Sequence, residues 1–355
     1  MPWAADIERR LARIGWRGAP ESDGAPDGAE PARVVVQHRA GYELHDGARA
    51  FTAQPAPRFL KRGLEPSERP AVGDFVLVVP GTPAQIERVL PRRSVLARAA
   101  AGEQHRRQII ATNVDTVFVL SGLDADFNPA RIERYLVLVE GSGARAVVVL
   151  TKADRCADTT ARAAELRARV GAVEIVAVDA KSAASVAPLL AHLGPGDSAV
   201  LVGSSGAGKS TLTNTLFGEA RQATGAVRAR DGRGRHTTTH RALIMLPSGG
   251  CLIDTPGMRE LKLTGDEALD RGGFADVEAL AAECRFGDCT HRSEPGCAVQ
   301  AALADGRLEP AHWQNYLKLR DELAAAGDSL EAQLRRRGVS AKGLGRRLGA
   351  KTGQR

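Results

Sequence analysis

The sequence has no long apolar run, and its cysteines are few and odd in number. Its longest apolar stretches, such as Ala146–Leu150 and Phe75–Val79, are far too short to cross a bilayer. Residues 1–14 mix charged with apolar side chains and lack the apolar centre of a signal peptide. Five cysteines are a poor basis for a disulfide framework. We therefore expect a cytoplasmic chain that is neither secreted nor inserted in a membrane.

The chain is long and basic. Its 355 residues are expected to form two or three domains, and an apolar content of 43% is ample for buried cores. The net charge of +7 favours a polyanionic partner, although it does not name one.

A glycine-rich loop at residues 203–211 is the most informative segment. It follows the apolar run Ala199–Val202, typical of a buried strand, and precedes the start of a helix. This is the context of a phosphate-binding loop, in which Lys209 is expected to reach the β- and γ-phosphates and Ser210 to hold Mg²⁺. The sequence therefore predicts a nucleoside triphosphate site, and the predicted binding residues in this loop are Gly203, Ser204, Ser205, Gly206, Ala207, Gly208, Lys209, Ser210 and Thr211.

Two segments that differ in composition and hydrophobic pattern precede the α/β region. Residues 1–31 are predicted to be a flexible extension that begins with a short amphipathic helix and continues as a linker rich in Gly, Pro and Ala. Residues 32–98 contain five short strand-like segments separated by turn residues. A closed barrel of the OB-fold type fits these strands, with another small barrel as the alternative. Residues 92–111 are basic with little periodicity, and we expect a solvated connector there, with a segment that faces a polyanion as the alternative.

Residues 99–265 are predicted to form the central α/β domain. Short apolar strands alternate with helical patterns such as Pro129–Glu140 and Thr159–Val170. This alternation indicates a mainly parallel, doubly wound sheet whose ligands bind at the carboxyl ends of the strands.

The loop Thr151–Asp154 indicates which base is bound. The Asp154 carboxylate can accept hydrogen bonds from the N1–H and 2-amino groups of guanine, whereas adenine has neither donor and would leave the carboxylate unpaired. The stem of Lys152 can lie along the face of the base. The sequence therefore predicts a GTP site that includes Thr151, Lys152, Ala153 and Asp154.

Two later segments are expected to contact the γ-phosphate and its Mg²⁺. Asp254 can bind Mg²⁺ through water, and the backbone N–H of Gly257 can contact the γ-phosphate. Thr238 is expected to join Ser210 as a Mg²⁺ ligand and to take part in catalysis. These segments would act as switches.

The residue after Gly257 bears on hydrolysis. Ras-like enzymes have a water-orienting glutamine there, but this chain has Met258, which cannot orient a water by hydrogen bonding. We expect His236 to be the catalytic residue, with His240 second, or a partner to supply the missing group. A phosphate or RNA contact, or an ordinary loop position, is the alternative for both histidines.

The order of these elements is permuted. Ras-like GTPases have the phosphate loop first, whereas here the base loops, at 151–154 and 179–182, precede it and the switch segments, at 236–240 and 254–257, come last. This is a circular permutation of one sheet, and it makes the second switch segment the covalent link to the C-terminal region.

A cluster of cysteines and histidine lies in the predicted helical domain, residues 266–330. The spacing C-x₄-C-x-H-x₅-C predicts a closed tetrahedral site for one structural Zn²⁺, with the ligands Cys284, Cys289, His291 and Cys297. Incidental cysteines, one of them redox-active, are the alternative. Two helices, Pro310–Ala326 and Ser329–Arg337, are predicted next, and residues 331–355 form a basic tail.

Together these motifs resemble the bacterial RsgA family of small-subunit-dependent GTPases, also called YjeQ or EngC. The resemblance covers residues 32–326 and depends most on the GRHTTTH segment at 234–240, the DTPG segment at 254–257 and the metal-ligand segment at 284–297. It implies an OB-fold barrel, a permuted GTPase domain with Mg²⁺ and a zinc-binding helical domain. It also implies a monomeric, slow GTPase that the 30S subunit and its 16S rRNA stimulate, that acts late in 30S maturation and that dissociates after hydrolysis.

Three features depart from the family pattern. Thr151 stands where the family usually has Asn, which removes one base contact, and Asp179 stands where Ser is more usual, before the predicted GTP-binding residues Ala180 and Lys181. The two termini lie outside the family core.

Two other functions stay open at this point. One is a zinc and OB-fold RNA-binding protein in which GTP serves mainly as a conformational timer. The other is a signalling or translation-factor GTPase with a protein partner, which the basic flanking regions make less attractive.

Overall fold

The computed structural model describes residues 3, 5–18, 25–38, 40–61, 64–99, 107–218, 241–254, 263–265, 267–269 and 273–336. The strands are β1 (Glu30–Gln37), β2 (Tyr42–His45), β3 (Ala50–Pro55), β4 (Phe75–Val79), β5 (Ala84–Val89), β6 (Val95–Ala99), β7 (Arg107–Thr112), β8 (Thr116–Gly122), β9 (Arg145–Thr151), β10 (Glu174–Ala177), β11 (Ser198–Gly203), β12 (Ala242–Met245) and β13 (Cys251–Asp254). The helices are α1 (Ala5–Ala12), α2 (Pro129–Glu140), α3 (Thr159–Val170), α4 (Ala183–Val186), α5 (Lys209–Phe217), α6 (Ala275–Ala282), α7 (Ala298–Ala304) and α8 (Pro310–Arg336). Within these ranges, none of the helices is both long and apolar enough to span a membrane.

The first five strands close into a barrel. The strands follow the order β1-β2-β3-β5-β4, and antiparallel pairing of β1 with β4 joins the two ends. The one parallel pair among them is β3 with β5. Inward-facing side chains such as Val34, Leu44, Val76 and Ile86 are fully buried. The predicted OB-fold barrel is confirmed as a closed five-stranded barrel.

The central sheet has five parallel strands and one antiparallel strand. The parallel strands follow the order β10-β9-β8-β11-β13, and β12 pairs antiparallel with β13. Alternate residues of β8 face opposite sides, as strand geometry requires. Val117 and Val119 pack in the apolar cluster of α2 and α3, whereas Phe118 and Leu120 pack in the cluster of α4 and α5. Helices therefore cover both faces, and the predicted doubly wound α/β domain is confirmed.

The barrel and the central sheet are joined by Arg33 and by a strand contact. Val36 of β1 pairs with Ala242 of β12, so the two sheets are continuous. The Arg33 guanidinium is fully buried and donates to the carbonyls of Gly73 at 3.2 Å, Asn113 at 3.0 Å and Ile14, and to the Ser198 hydroxyl at 2.8 Å. Burial lowers the pKa of Arg33 to about 10. One side chain thus ties the barrel and residues near α1 to the strand that leads into the phosphate loop.

The N-terminal segment is packed where the structure describes it. The helix expected at the start of the chain is present as α1, and Leu11 and Ile14 are both fully buried beside Phe75 and Leu77 of the barrel. The prediction of a flexible extension is therefore wrong for residues 5–18. Leu11 and Ile14 pack on the apolar residues of β4, and removing both apolar surfaces from water favours this contact.

The prediction of a solvated connector at 92–111 is also wrong in its described part. Strands β6 and β7 form an antiparallel hairpin, with Val95 opposite Thr112 and Leu96 opposite Ala111. Leu96 and Ile110 are buried in the same apolar cluster as α2. The segment contains many arginines, but its short alternation of apolar residues is sufficient to form a hairpin.

The C-terminal region packs on α2 and contains one long helix where two were predicted. Helix α8 runs without interruption through Gly327, so the predicted break after Ala326 is wrong. A glycine inside a helix costs about 1 kcal/mol and does not by itself end the helix. Helix α8 passes close to Gly265 at this point, because a Cβ on Gly265 would lie 2.7 Å from the backbone nitrogen of Gly327.

Candidate nucleotide site and metal centre

The carboxyl ends of the five parallel strands bring the predicted nucleotide loops to one edge of the sheet. Strands β8, β9, β10, β11 and β13 run in the same direction, and each predicted loop in the described part of the chain follows one of them. The base loops follow β9 and β10, the phosphate loop follows β11, and Asp254 ends β13. This is the edge at which doubly wound sheets bind their ligands.

The phosphate loop has the backbone that its glycines predict. Gly203, Gly206 and Gly208 have φ values of 150°, 85° and 90°. Gly203 also lies against the neighbouring strand, where a Cβ would come within 2.4 Å of the Leu120 carbonyl oxygen. A side chain at Gly203 would therefore be excluded by both conformation and contact.

The side chain of Lys209 folds back over the start of the phosphate loop. Its ammonium donates to the carbonyl oxygen of Gly203 at 2.6 Å and to that of Ser204. Burial lowers the pKa of Lys209, while the negative charges of Asp126 and Asp254 oppose that shift. Ser210, the predicted Mg²⁺ ligand, is exposed at the first turn of α5. A cationic group and a helix N-terminus thus meet at one place, which suits an anionic ligand.

Thr151 supports the phosphate loop from the base loop. It is fully buried, and its hydroxyl donates to the carbonyl oxygen of Ala207 at 2.8 Å. A Cβ on Gly208 would lie 3.3 Å from the same hydroxyl oxygen. The residue that departs from the family pattern is therefore used for contact between the two loops.

Lys152 and Asp154 lie on the outer side of that base loop. Lys152 adopts the left-handed conformation at φ 59°, which few non-glycine residues do. Asp154 is in the 3₁₀ turn Ala153–Arg155, and its carboxylate is 40% exposed and 3.9 Å from Arg155 Nε. The Asp154 carboxylate thus has surface available to accept hydrogen bonds from a base.

The second base loop is tied to the helix of the phosphate loop. The Ala180 carbonyl accepts a hydrogen bond from the Thr215 hydroxyl of α5 at 2.6 Å. The Asp179 carboxylate accepts from the backbone N–H of Lys181 at 2.9 Å and so closes the turn. The aspartate in place of the usual serine therefore has a local role in shaping this loop.

Two carboxylates that sequence reasoning missed lie after β8. Asp124 Oδ2 accepts from Lys152 Nζ at 2.6 Å, and this hydrogen bond lowers the pKa of Asp124. Asp126 accepts from the hydroxyl of Ser204 and forms an ion pair with Arg131 at 2.5 Å. The available signal was two aspartates at the carboxyl end of a strand in a parallel sheet, next to the strand of the phosphate loop.

The remaining predicted site residues lie outside the residues that the structure describes. These are His236, Thr238, His240, Gly257 and Met258. Asp254, the last residue of β13, is described and half-buried.

The four predicted metal ligands meet at one point. The donor atoms of Cys284, Cys289, His291 and Cys297 all lie within 4.8 Å of one another. Cys284 Sγ is 3.4 Å from His291 Nδ1 and 3.8 Å from Cys297 Sγ, and Cys297 Sγ is 3.6 Å from His291 Nδ1. Three sulfurs and one imidazole nitrogen at these separations can hold a metal ion.

Neighbouring groups hold the ligand loops in shape. The Glu294 carboxylate accepts from the backbone N–H groups of Thr290, Arg292 and Ser293 at 2.9–3.0 Å. The Gln300 amide donates to the His291 carbonyl at 2.6 Å, which supports the left-handed backbone of His291 at φ 59°. The ligand geometry is therefore built into the fold of residues 284–300.

Comparison with known proteins agrees with this geometry. The model of a family described as RsgA GTPase matches residues 89–264. The small ribosomal subunit biogenesis GTPase RsgA of Xanthomonas axonopodis pv. citri (strain 306) is 54% identical in an alignment 349 residues long that covers 95% of this chain and 94% of that protein. The protein of the same name from Xanthomonas campestris pv. campestris (strain B100) has the same identity and coverage.

Solved structures show the same architecture. The crystal structure of YjeQ from Thermotoga maritima superposes with a TM-score of 0.61 at 25% identity, covering 83% of this chain and 99% of that one. YloQ, described as a circularly permuted GTPase, superposes with a TM-score of 0.58 at 23% identity, covering 86% of this chain and 97% of that one. The circular permutation predicted from the order of the loops is confirmed.

Proposed function

The chain belongs to the RsgA GTPase family, and on that basis we propose that it hydrolyses GTP to GDP and phosphate on the 30S ribosomal subunit late in maturation of that subunit, and then dissociates. That it is a GTPase acting in small-subunit biogenesis follows from its relatives. The structural observation that supports a GTP site is the contact from the Thr151 hydroxyl to the Ala207 carbonyl, which brings the base loop and the phosphate loop together.

The nucleotide would be held by residues of the strand-end loops. Lys209 binds the β- and γ-phosphates with the N–H groups of residues 203–211, and Asp154 accepts hydrogen bonds from guanine. Ser210 and Asp254 are the described residues that would hold Mg²⁺, which neutralises charge on the phosphates. Thr238 completes that set in this proposal, as Gly257 completes the γ-phosphate contacts.

Water activation is assigned to His236 or to the subunit itself. Met258 cannot orient a water molecule, so the isolated protein is expected to be slow. If binding to the 30S subunit supplies or positions the group that orients the attacking water, the subunit stimulates GTP hydrolysis.

The metal ion is proposed to be one structural Zn²⁺. Zn–S bonds of about 2.3 Å and Zn–N bonds of about 2.0 Å in a tetrahedron separate the donor atoms by about 3.5–3.8 Å. The donor separations of 3.4–3.8 Å among Cys284, His291 and Cys297 fit that tetrahedron. Four protein ligands leave no open position, so the ion would hold the loops together and take no part in hydrolysis.

Exposed basic groups support rRNA as the contact within the subunit. The barrel presents Arg58, Lys61 and Arg69 on one surface segment, and the metal-ligand segment presents Arg285 and Arg292. Both groups suit phosphate oxygens of 16S rRNA, and such binding weakens steeply with salt. A cytoplasmic monomer that visits the subunit transiently fits this proposal.

The decisive experiment measures GTP turnover with and without purified 30S subunits. We expect a slow basal rate, a clear increase on adding subunits and co-sedimentation that salt reverses. Lys209→Ala is the control, because it should remove the stimulated turnover and so exclude GTPases that contaminate the subunits. Absence of both stimulation and salt-sensitive co-sedimentation would overturn the ribosomal proposal, whereas binding without stimulation would favour the timer alternative.

A further inference from the structure

The loop between β8 and α2 contacts both halves of the nucleotide site. Asp124 meets Lys152 of the base loop at 2.6 Å, and Asp126 meets Ser204 of the phosphate loop. None of the nucleotide motifs found in the sequence contains either aspartate.

Both carboxylates are directed at groups of the protein. Asp126 is paired with the Arg131 guanidinium at 2.5 Å, and Asp124 with the Lys152 ammonium at 2.6 Å. An unpaired carboxylate beside a phosphate site would repel an anionic ligand. Because each is paired with a cation, the two carboxylates can shape the loops at little electrostatic cost to nucleotide binding.

The pairing with Asp124 restricts the side chain of Lys152. Its backbone is left-handed, and a free lysine side chain samples many rotamers that it must give up when a base binds. Gly122 leaves room for the ion pair, because a Cβ there would lie 2.7 Å from Asp124 Oδ1 and 3.1 Å from Lys152 Nζ. Three residues from two strand ends thus fix where the lysine stem runs.

We propose that Asp124 is a positioning residue for guanine-nucleotide binding, which holds the Lys152 side chain along the face that the base occupies. Asp124 does not touch the nucleotide itself and acts through Lys152. This inference rests on the proposed GTP site, and it adds the residue that preorganises the base loop.

A double-mutant cycle on the full-length protein tests the assignment, with a fluorescent GDP analogue as the probe. An exposed pair of this kind is worth up to about 1 kcal/mol, so Asp124→Asn should weaken binding about three- to fivefold. Adding Asp124→Asn to Lys152→Met should cause no further loss, and Asp124→Glu should recover part of the affinity. The turnover rate at saturating GTP with 30S subunits should stay unchanged while the KM for GTP rises.

The matched control removes a carboxylate from an ion pair away from the site. Asp305 pairs with Arg307 at 2.8 Å in the exposed turn after α7, so Asp305→Asn should bind GDP as the wild type does. Wild-type affinity in Asp124→Asn, or losses that simply add in the double variant, would overturn the assignment. Failure of the wild-type protein to bind GDP would instead count against the proposed function.

Discussion

His312 of α8 is expected to make the stability of the C-terminal region depend on pH. It is 2% exposed and lies between two carboxylates, with Nδ1 2.9 Å from Glu133 of α2 and Nε2 3.2 Å from Asp276 of α6. Glu133 is itself fully buried, where it also meets Arg169 at 3.4 Å and Asn315 at 2.5 Å. This cluster joins the central domain to the region that carries the metal ligands.

The magnitude follows from the pKa of His312. Burial alone would lower it, but the hydrogen bonds to Asp276 and Glu133 outweigh burial and raise it to about 9 from the ordinary 6.5. At 1.36 kcal/mol for each pKa unit, protonated His312 stabilises the folded state by about 3 kcal/mol. Because the folded pKa is the higher one, this stabilisation is complete below pH 6.5 and is lost as the pH rises to 9 and above.

Urea unfolding followed by Trp313 fluorescence measures the effect. Trp313 lies beside His312, and Trp3→Phe and Trp16→Phe remove the other two indoles. With zinc in excess, His312→Gln should lower the free energy of unfolding by about 3 kcal/mol at pH 6 and by much less at pH 9.5. Comparing the two proteins at each pH cancels the titration of the metal ligands. An equal gap at both pH values would refute the reasoning.

Three other outcomes are expected. Lys209→Ala removes a charged phosphate contact and should weaken binding of fluorescent GTP about ten- to a hundredfold, as measured by titration. Cys289→Ser should lower the zinc content below one ion per chain by atomic absorption, whereas Cys156→Ser, outside the cluster, should retain it. Arg33→Met leaves buried carbonyls without a donor and should lower the free energy of unfolding by at least about 3 kcal/mol in chemical denaturation, and unchanged stability would contradict its role in joining the domains.

Local sequence signals were sufficient to predict many of the helices, strands and binding loops. The bounds of α2 and α3 agree with the prediction because each helix has both an apolar period and an N-cap. Asn128 and Asp158 accept hydrogen bonds from the backbone N–H groups of Arg131 and Ala161, and Pro129 follows the first cap. The phosphate loop and the metal ligands were equally accessible, since each is a short motif whose residues act within about fourteen positions of one another.

Signals that depend on distant residues were not accessible. Asp124 and Lys152 are 28 positions apart, and Glu133 and His312 are 179 apart, so a single sequence gives no reason to pair them. The β6–β7 hairpin was not predicted for another reason. Arginines in the segment obscure the pattern of its apolar residues, of which Leu96 and Ile110 pack in the same cluster as α2. The prediction was wrong in α8 because a glycine often marks a helix end, whereas α8 continues through Gly327 at a cost of about 1 kcal/mol.

The position of α2 constrains how a nucleotide signal can reach the C-terminal region. The sequence suggested one route, through the covalent link that follows Asp254. The structure adds a second, since the loop before α2 contacts Lys152 and Ser204, and Glu133 in the helix contacts α8. A movement of the C-terminal region away from α2 would break the buried Glu133–His312 contact, which supplies part of the about 3 kcal/mol by which protonated His312 stabilises the fold. Movement of α2 together with that region avoids this cost, so we expect the two to respond to the γ-phosphate as one body.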